Sequence, residues 1–400
     1  MRATLFLLSA AIAYGSAYPF HFHIAPITPQ MLHALLNDWD DHQELADVAA
    51  NIAMFVPFGF LAGRIAFKAS PKLLRLIAFV ATGIVFATAL QVMQLWIPER
   101  VASLNDVVLN TLGIVLGTAL AILSLVPIRQ SATADLNLDL VPLFLAAVWF
   151  AYRLFPYIPT LDFQSIKDNL KPLLFEWRID PGKVLRDAVA WPIIGLIARD
   201  ALNARHQLSI LLFPALLAGD FCIEVLILRN GLTFSDAVAA VAATVIWYGW
   251  VMWSRRPEGI LAAAMATTII MLALSPFEWR AEPASINLVP FKAYFSGSFL
   301  FGLLVLLEKT FLYGSLIWLL QRAGYRLLLA TVVTAVLCGM LEFAQIFFSQ
   351  HSPDLGDPLH ALLLGLQFHL LAGGSIIQLP VRGQTNATAD RARPILQEAE

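Results

Sequence analysis

The sequence predicts an all-α fold: a polytopic membrane helix bundle of about twelve transmembrane helices, arranged as three four-helix repeats. Three observations point to it. Apolar types make up 59% of the 400 residues and charged types only 14%, against roughly 25% charged in a soluble domain. Basic residues gather in alternate loops between apolar runs. A short polar pattern at a helix–turn–helix junction recurs at three places along the chain.

The elements follow in order. Crossing a bilayer takes about 20 apolar residues. Candidate spans start near Leu5, Ala49, Leu76, Asp106, Leu140, Arg186, Gln207, Phe234, Gly259, Ser298, Leu327 and Pro358. The run TLFLLSAAIAYGSAYPF after Met1 and Arg2 has the look of a secretory leader. We read it as the first membrane helix, because a similar apolar segment opens each later repeat. Removing it leaves the first unit one helix short.

Sidedness follows from the basic residues, which favour the cytoplasmic loops. Alternate connections hold Arg2; Arg64, Lys68, Lys72 and Arg75; Arg129; Arg199 and Arg205; Arg255 and Arg256; Arg322 and Arg326; then Arg382, Arg391 and Arg393. The opposite loops are mixed or acidic, as in DWDDHQELAD after the first helix. Both termini are therefore expected in the cytoplasm of a bacterial inner membrane, with membrane lipids as the first partner. Net charge is −2 with no basic patch, which argues against a nucleic-acid partner. Cys222 and Cys338 lie within apolar runs, and both are expected to be small core residues. Trp96, Trp177, Trp253 and Trp279 fall near span ends, as interface anchors do.

The repeats divide the chain into units 1–128, 129–256 and 257–381, with a disordered cytoplasmic tail over 382–400. Their best-marked part runs from the third helix through an outer turn into the fourth. It reads LQVMQLWIPERVASLNDVVLNTLGIVLG, then IEVLILRNGLTFSDAVAAVAATV, then LEFAQIFFSQHSPDLGDPLHALLLG. Gln94 and Gln345 each precede an aspartate, Asp106 or Asp357, by twelve residues. Glu224 and Glu342 stand where the first unit has Gln91, and Asp236 closes a shorter turn. Aligning the second helices places Asp187 on Asn51 and puts Glu308 near the same position.

These residues carry a family resemblance. NIAMFVPFGFLAGR followed by QVMQLWIPERVASLNDVVLNTLGIVLG resembles the VanZ-like family, named for a membrane protein associated with teicoplanin resistance. Asn51, Phe55, Pro57, Gly59, Gln94, Arg100, Asp106, Asn110 and Gly113 match that family's pattern, while Gln91 replaces its usual glutamate. The resemblance covers roughly residues 30–125. The third unit keeps Glu342, Gln345 and Asp357 but has His351 and Ala361 in place of the arginine and asparagine. The second unit keeps less. The resemblance implies a VanZ-like envelope protein more than it implies a mechanism.

Polar groups inside membrane helices are costly and mark functional positions by default. Gln91 and Gln94 share one helix face. So do Asp106, Asn110, Gly113 and Gly117, by their spacing. With Asn51 and Arg100 they form a candidate ligand-binding set at the outer surface. An arginine there can grip a phosphate or carboxylate. Glu224, Glu308, Lys309, Glu342 and Gln345 form a candidate intramembrane relay; the Glu224 and Glu342 carboxyls are expected to be hydrated or paired with Arg229 or His351, and Glu308 and Lys309 to need separate partners. The structural reading stands beside both. Ser103-x-x-Asp106 and Thr233-x-x-Asp236 are capping boxes, Gln91, Gln94 and Asn110 can simply bond between helices, and Gly113-x-x-x-Gly117 permits close helix approach.

No metal site, cofactor or catalytic motif is expected. Three functions follow in order: binding of an anionic or lipid-linked glycan or cell-wall ligand at the outer face, with an effect on glycopeptide susceptibility; a transporter or flippase using the Glu/Lys relay; an enzyme acting on lipid-linked envelope substrates.

Overall fold

The computed structural model describes residues 2–37, 45–67, 70–123, 139–202, 206–228, 230–295 and 299–371. The acidic segment over 38–44, the basic positions Lys68, Arg129, Arg205 and Arg229, and the tail over 382–400 lie outside the described residues. The described residues are helical and contain no strand; three isolated bridges pair loop segments. The helices are α1 (Arg2–Ala17), α2 (Pro29–Asn37), α3 (Leu45–Phe67), α4 (Lys72–Gln94), α5 (Leu104–Leu123), α6 (Leu140–Arg153), α7 (Phe163–Phe175) and α8 (Pro181–Ala201). They continue as α9 (His206–Val225), α10 (Phe234–Ile246), α11 (Glu258–Leu274), α12 (Lys292–Phe295), α13 (Phe299–Arg322), α14 (Leu327–Gln345) and α15 (Gly356–Leu371). A π-helical turn, Trp247–Val251, extends α10.

Each of the twelve expected spans falls on one of these helices; α2, α7 and α12 are additional and short. Among the described residues, five helices are long and apolar enough to cross a membrane: Lys72–Gln94, Leu104–Ile122, Phe234–Val251, Phe301–Arg322 and Leu327–Gln345. Four shorter apolar helices accompany them. The sixth expected span begins earlier than Arg186, at Pro181, where Asp180 caps it through the N–H groups of Gly182 and Lys183. An aspartate cap followed by proline is a strong helix start. Helix α8 carries five charges yet is buried continuously from Arg186 to Ile197. It is a central helix whose charges are met from within the bundle.

Two apolar cores result. The smaller joins Ile12, Phe55, Phe58, Ala62, Ala87, Leu90 and Ile114 from α1, α3, α4 and α5. Here α3 and α5 nearly touch. A Cβ on Gly113 would lie 2.3 Å from the Ile52 carbonyl oxygen, and one on Gly117 would lie 2.0 Å from that of Val56. The larger core surrounds Trp149, Trp191, Trp247 and Phe311 on α6, α8, α10 with its π turn, and α13. Helix α13 touches both regions through α3 and α6, and the Tyr14 hydroxyl donates to the Pro290 carbonyl at 2.6 Å. Cys338 is buried as expected, but Cys222 is exposed. It sits on the side of α9 away from Asp220 and Glu224, which are the residues that turn inward.

Candidate functional site

Polar side chains gather beside the turns that follow α4, α9 and α14. In the first cluster, Asn51 of α3 donates to Asp106 Oδ1 at 2.8 Å, and Gln91 of α4 donates to Asp106 Oδ2 at 3.3 Å. Gln91 Oε1 accepts the Ser103 N–H at 3.0 Å. Gln94 donates to the Ser16 carbonyl at 3.1 Å. The arrangement joins α3, α4 and the start of α5, and it ties the turn down onto α1.

Arg100 takes a different position from the one its neighbours suggest. Its Nε donates to the Tyr18 carbonyl at 2.9 Å and its terminal nitrogen to the Gly15 carbonyl at 3.1 Å. It satisfies the otherwise open carbonyls at the C-terminal end of α1. Asn110 is buried, and its Oδ1 has no hydrogen-bond partner.

A second cluster, near α14 and α15, is more strongly charged. Lys309 donates to both oxygens of Asp357, at 2.8 and 2.7 Å. Tyr313 donates to Asp357 at 2.7 Å, and Tyr294 donates to the same carboxylate. Glu342 accepts the Asp354 N–H at 2.9 Å, where His351 had been the expected partner. The turn folds its backbone back onto α14, which sets a main-chain donor against this carboxylate. Gln345 donates to the Ala273 carbonyl at 2.8 Å.

Between these two lies the largest set of charges, which sequence reasoning located only in part. Arg153, in the last turn of α6, meets four carboxylates. Its distances are 2.9 Å to Asp187, 2.8 Å to Asp220, 2.8 Å to Glu224 and 3.5 Å to Asp236. Glu224, expected beside Arg229 or His351, thus pairs with Arg153. The guanidinium sits 5.7 Å from the Trp149 ring and 5.6 Å from that of Trp191, which adds cation–π attraction in a dry setting. Arg186 continues the chain of contacts, reaching Asp187 at 2.7 Å, Glu308 at 2.7 Å and the Tyr152 hydroxyl at 2.6 Å. Lys183 closes the other end on Asp236 at 2.6 Å. Asp236 also completes the capping box with Thr233, so capping and ion pairing fall on one carboxylate.

Glu308 and Lys309, adjacent on α13, point to separate partners. Glu308 ends the Arg153 network, whereas Lys309 serves Asp357. Lys309, and not Glu308, makes the contact to α15 that Asn51 makes to α5. A cavity of about 560 Å³ opens beside the network, lined among others by Tyr152, Asp180, Lys183, Arg186, Leu272 and Ser275. Lys183 and Arg186 thus touch both the cavity and the buried acids.

Of the expected relay residues, Glu224 and Glu308 belong to one network, while Lys309, Glu342 and Gln345 stand around the α14–α15 turn. Of the expected ligand set, Asn51, Gln91 and Asp106 join one another, Gln94 and Arg100 both donate to carbonyls around the end of α1, and Asn110 Oδ1 has no hydrogen-bond partner. Arg153, Asp220 and Tyr152 escaped notice. The available signal was the charge of Arg153 and Asp220 within apolar runs, which is itself a mark of function.

Residues 5–125 match the family model VanZ/LLP1. No curated protein and no solved structure matches the chain.

Proposed function

We propose that this protein, which that match and the five long apolar helices mark as a membrane protein with a VanZ-type segment, resides in the bacterial inner membrane with both termini cytoplasmic and moves a charged solute of the envelope through the ion network centred on Arg153. The network carries this reading. Charged groups are rarely placed inside a bilayer-spanning bundle unless they line a path for ions or substrate. Here they link Lys183 through Asp236, Arg153 and Asp187 to Arg186 and Glu308 on α13, and Lys183 and Arg186 both line the cavity. Transporters commonly place their sites between related helical units.

The proposed architecture is three units of four membrane helices, 1–128, 129–256 and 257–381. Matched details favour it. Gln91 and Glu342 each accept a backbone N–H twelve residues ahead. Gln94 and Gln345 each donate to a carbonyl at the end of an earlier helix. Pro19, Pro156 and Pro276 are each followed by an aromatic residue at positive φ, Phe20, Tyr157 and Phe277.

Proton flux tests the transport reading. Full-length protein in liposomes loaded with a pH-sensitive dye should dissipate an imposed pH gradient, or couple it to a candidate solute. Arg186→Ala should abolish that flux. Flux that survives in a folded Arg186→Ala protein excludes the network as the path.

A second reading keeps the anionic or lipid-linked glycan ligand, and with it an effect on glycopeptide susceptibility. The cavity favours it, because Lys183 and Arg186 present cations beside apolar Leu272. Native mass spectrometry of co-purifying lipids should then find an anionic lipid retained by the wild type and lost from Lys183→Ala. Equal retention by both rules this reading out. An enzymatic role on lipid-linked substrates has no such supporting geometry.

A further inference from the structure

We infer that Asp220 and Glu224 form a proton-binding site that holds a proton at neutral pH, a reading that deepens the transport proposal and rests on the same network. The two residues lie four apart on α9, one turn above the other on a single face. They are 2% and 6% exposed. Each gives one oxygen to Arg153. The remaining oxygens, Asp220 Oδ1 and Glu224 Oε2, are buried and have no hydrogen-bond partner. Asp187 and Asp236, in the same network, have both oxygens engaged.

Charge balance supplies the reason. Arg153 from α6, Lys183 and Asp187 from α8 and Asp236 from α10 face this pair, and Arg186, Tyr152 and Glu308 join the set through Asp187. Three bases therefore meet five acids in one connected set. An ion taken from water into such a setting costs several kcal/mol unless it is compensated. Lys183 and Arg186 already serve Asp236 and Asp187, which leaves Asp220 and Glu224 sharing a single guanidinium. Binding a proton turns one of them neutral and removes that cost. A metal cation fits less well, since hard cations take about six oxygen ligands or more and only two carboxylate oxygens here are free. The proton comes from water and returns to it, so no other reactant is needed. Arg153 stays charged throughout, as a guanidinium does.

Infrared difference spectroscopy on the full-length protein in lipid nanodiscs provides the test. At neutral pH the wild type should show the carbonyl stretch of a protonated carboxyl, with a downshift in heavy water. Asp220→Asn and Glu224→Gln copy the shape of the protonated groups, so both should fold, and at least one should lose the band. Trp149 and Trp191 flank Arg153, and their fluorescence should change with pH in the wild type and lose that change in the same variant. A band absent at neutral pH, or present in both variants, overturns the proposal. So does tryptophan fluorescence that follows sodium concentration at fixed pH. A band with the expected variant dependence but no proton flux in liposomes leaves the proton site standing and removes only the transport reading.

Discussion

Arg153 holds the most exacting position among the described residues. Its guanidinium hydrogen-bonds to Asp187, Asp220 and Asp236 and forms an ion pair with Glu224. Removing it would leave four buried acids facing one another. Breaking one buried pair by deleting a partner typically costs about 3–5 kcal/mol, and several pairs depend on this residue. Arg153→Ala should therefore fail to yield a monodisperse protein at neutral pH. Arg153→Lys should fold poorly as well, because a compact ammonium cannot match the planar fork. Thermal melting in detergent checks both. A lysine variant that melts like the wild type would mean that charge alone suffices.

Asp106 and Asp236 were legible in the sequence as helix caps, and Asp236 does cap α10. Their further contacts could not be read there. Asn51 and Asp106 stand 55 positions apart, and Arg153 and Asp236 stand 83 apart. Spacing on one helix fixes which residues share a face, but not which face of which other helix lies opposite. Arg100 illustrates the same limit. Its charge suggested a ligand, whereas the nearby end of α1 offers two main-chain carbonyls that need donors.

Among the elements, α3 and α5 are held at backbone distance by glycine. The Gly113-x-x-x-Gly117 spacing made this legible, since small residues four apart expose a strip of backbone. Gly117→Leu should force the helices apart, because its first side-chain carbon would fall 2.0 Å from the Val56 oxygen. Overpacking commonly costs about 1–3 kcal/mol, and a clash with backbone belongs at the upper end. Gly219→Ala is the matched control, as nothing lies within 4 Å of a Cβ there. Size-exclusion profiles of the two variants should differ sharply.

Helix α7 is amphipathic and lies between α6 and α8 along the chain. Asp162 starts it by accepting from the Ser165 N–H and hydroxyl, both at 2.8 Å. Those bonds hold the Asp162 carboxyl below the usual aspartate range. A lowered folded value means that the cap contributes fully above the ordinary value of about 3.9. The contribution disappears as pH falls through the lower folded value. Amide exchange at residues 163–166, corrected for intrinsic rates, should accelerate in that acidic window. In Asp162→Ala it should be fast at every pH.

For the whole molecule, the polar clusters divide the labour between the VanZ-matched segment and the rest. In residues 5–125 the buried polar contacts join neutral amides, the Asp106 carboxylate, the Arg100 guanidinium and backbone, and His21 and Glu99 pair at the surface. Beyond them, salt bridges link α6, α8, α9, α10 and α13. Glu308→Gln should consequently reduce proton flux to the level of empty liposomes, while Arg100→Ala leaves it unchanged in protein that folds. Flux that depends on Arg100 but not on Glu308 would return the site to the first segment. The membrane class and the helix positions were legible because they depend on composition and run length, which are local. The depth of the Arg153 network was not, because several of its members each appear as a single charge in a separate apolar run.

The outward position of Cys222 has a practical consequence. Cys338 is enclosed, so a bulky thiol reagent should attach to this chain at one natural place. That place is on the far side of the very helix turn bearing Asp220 and Glu224. A nitroxide or fluorophore at Cys222 would therefore act as a built-in observer of α9. It would register whether the helix rolls or stays still as the acids change state, without any alteration of the charged interior.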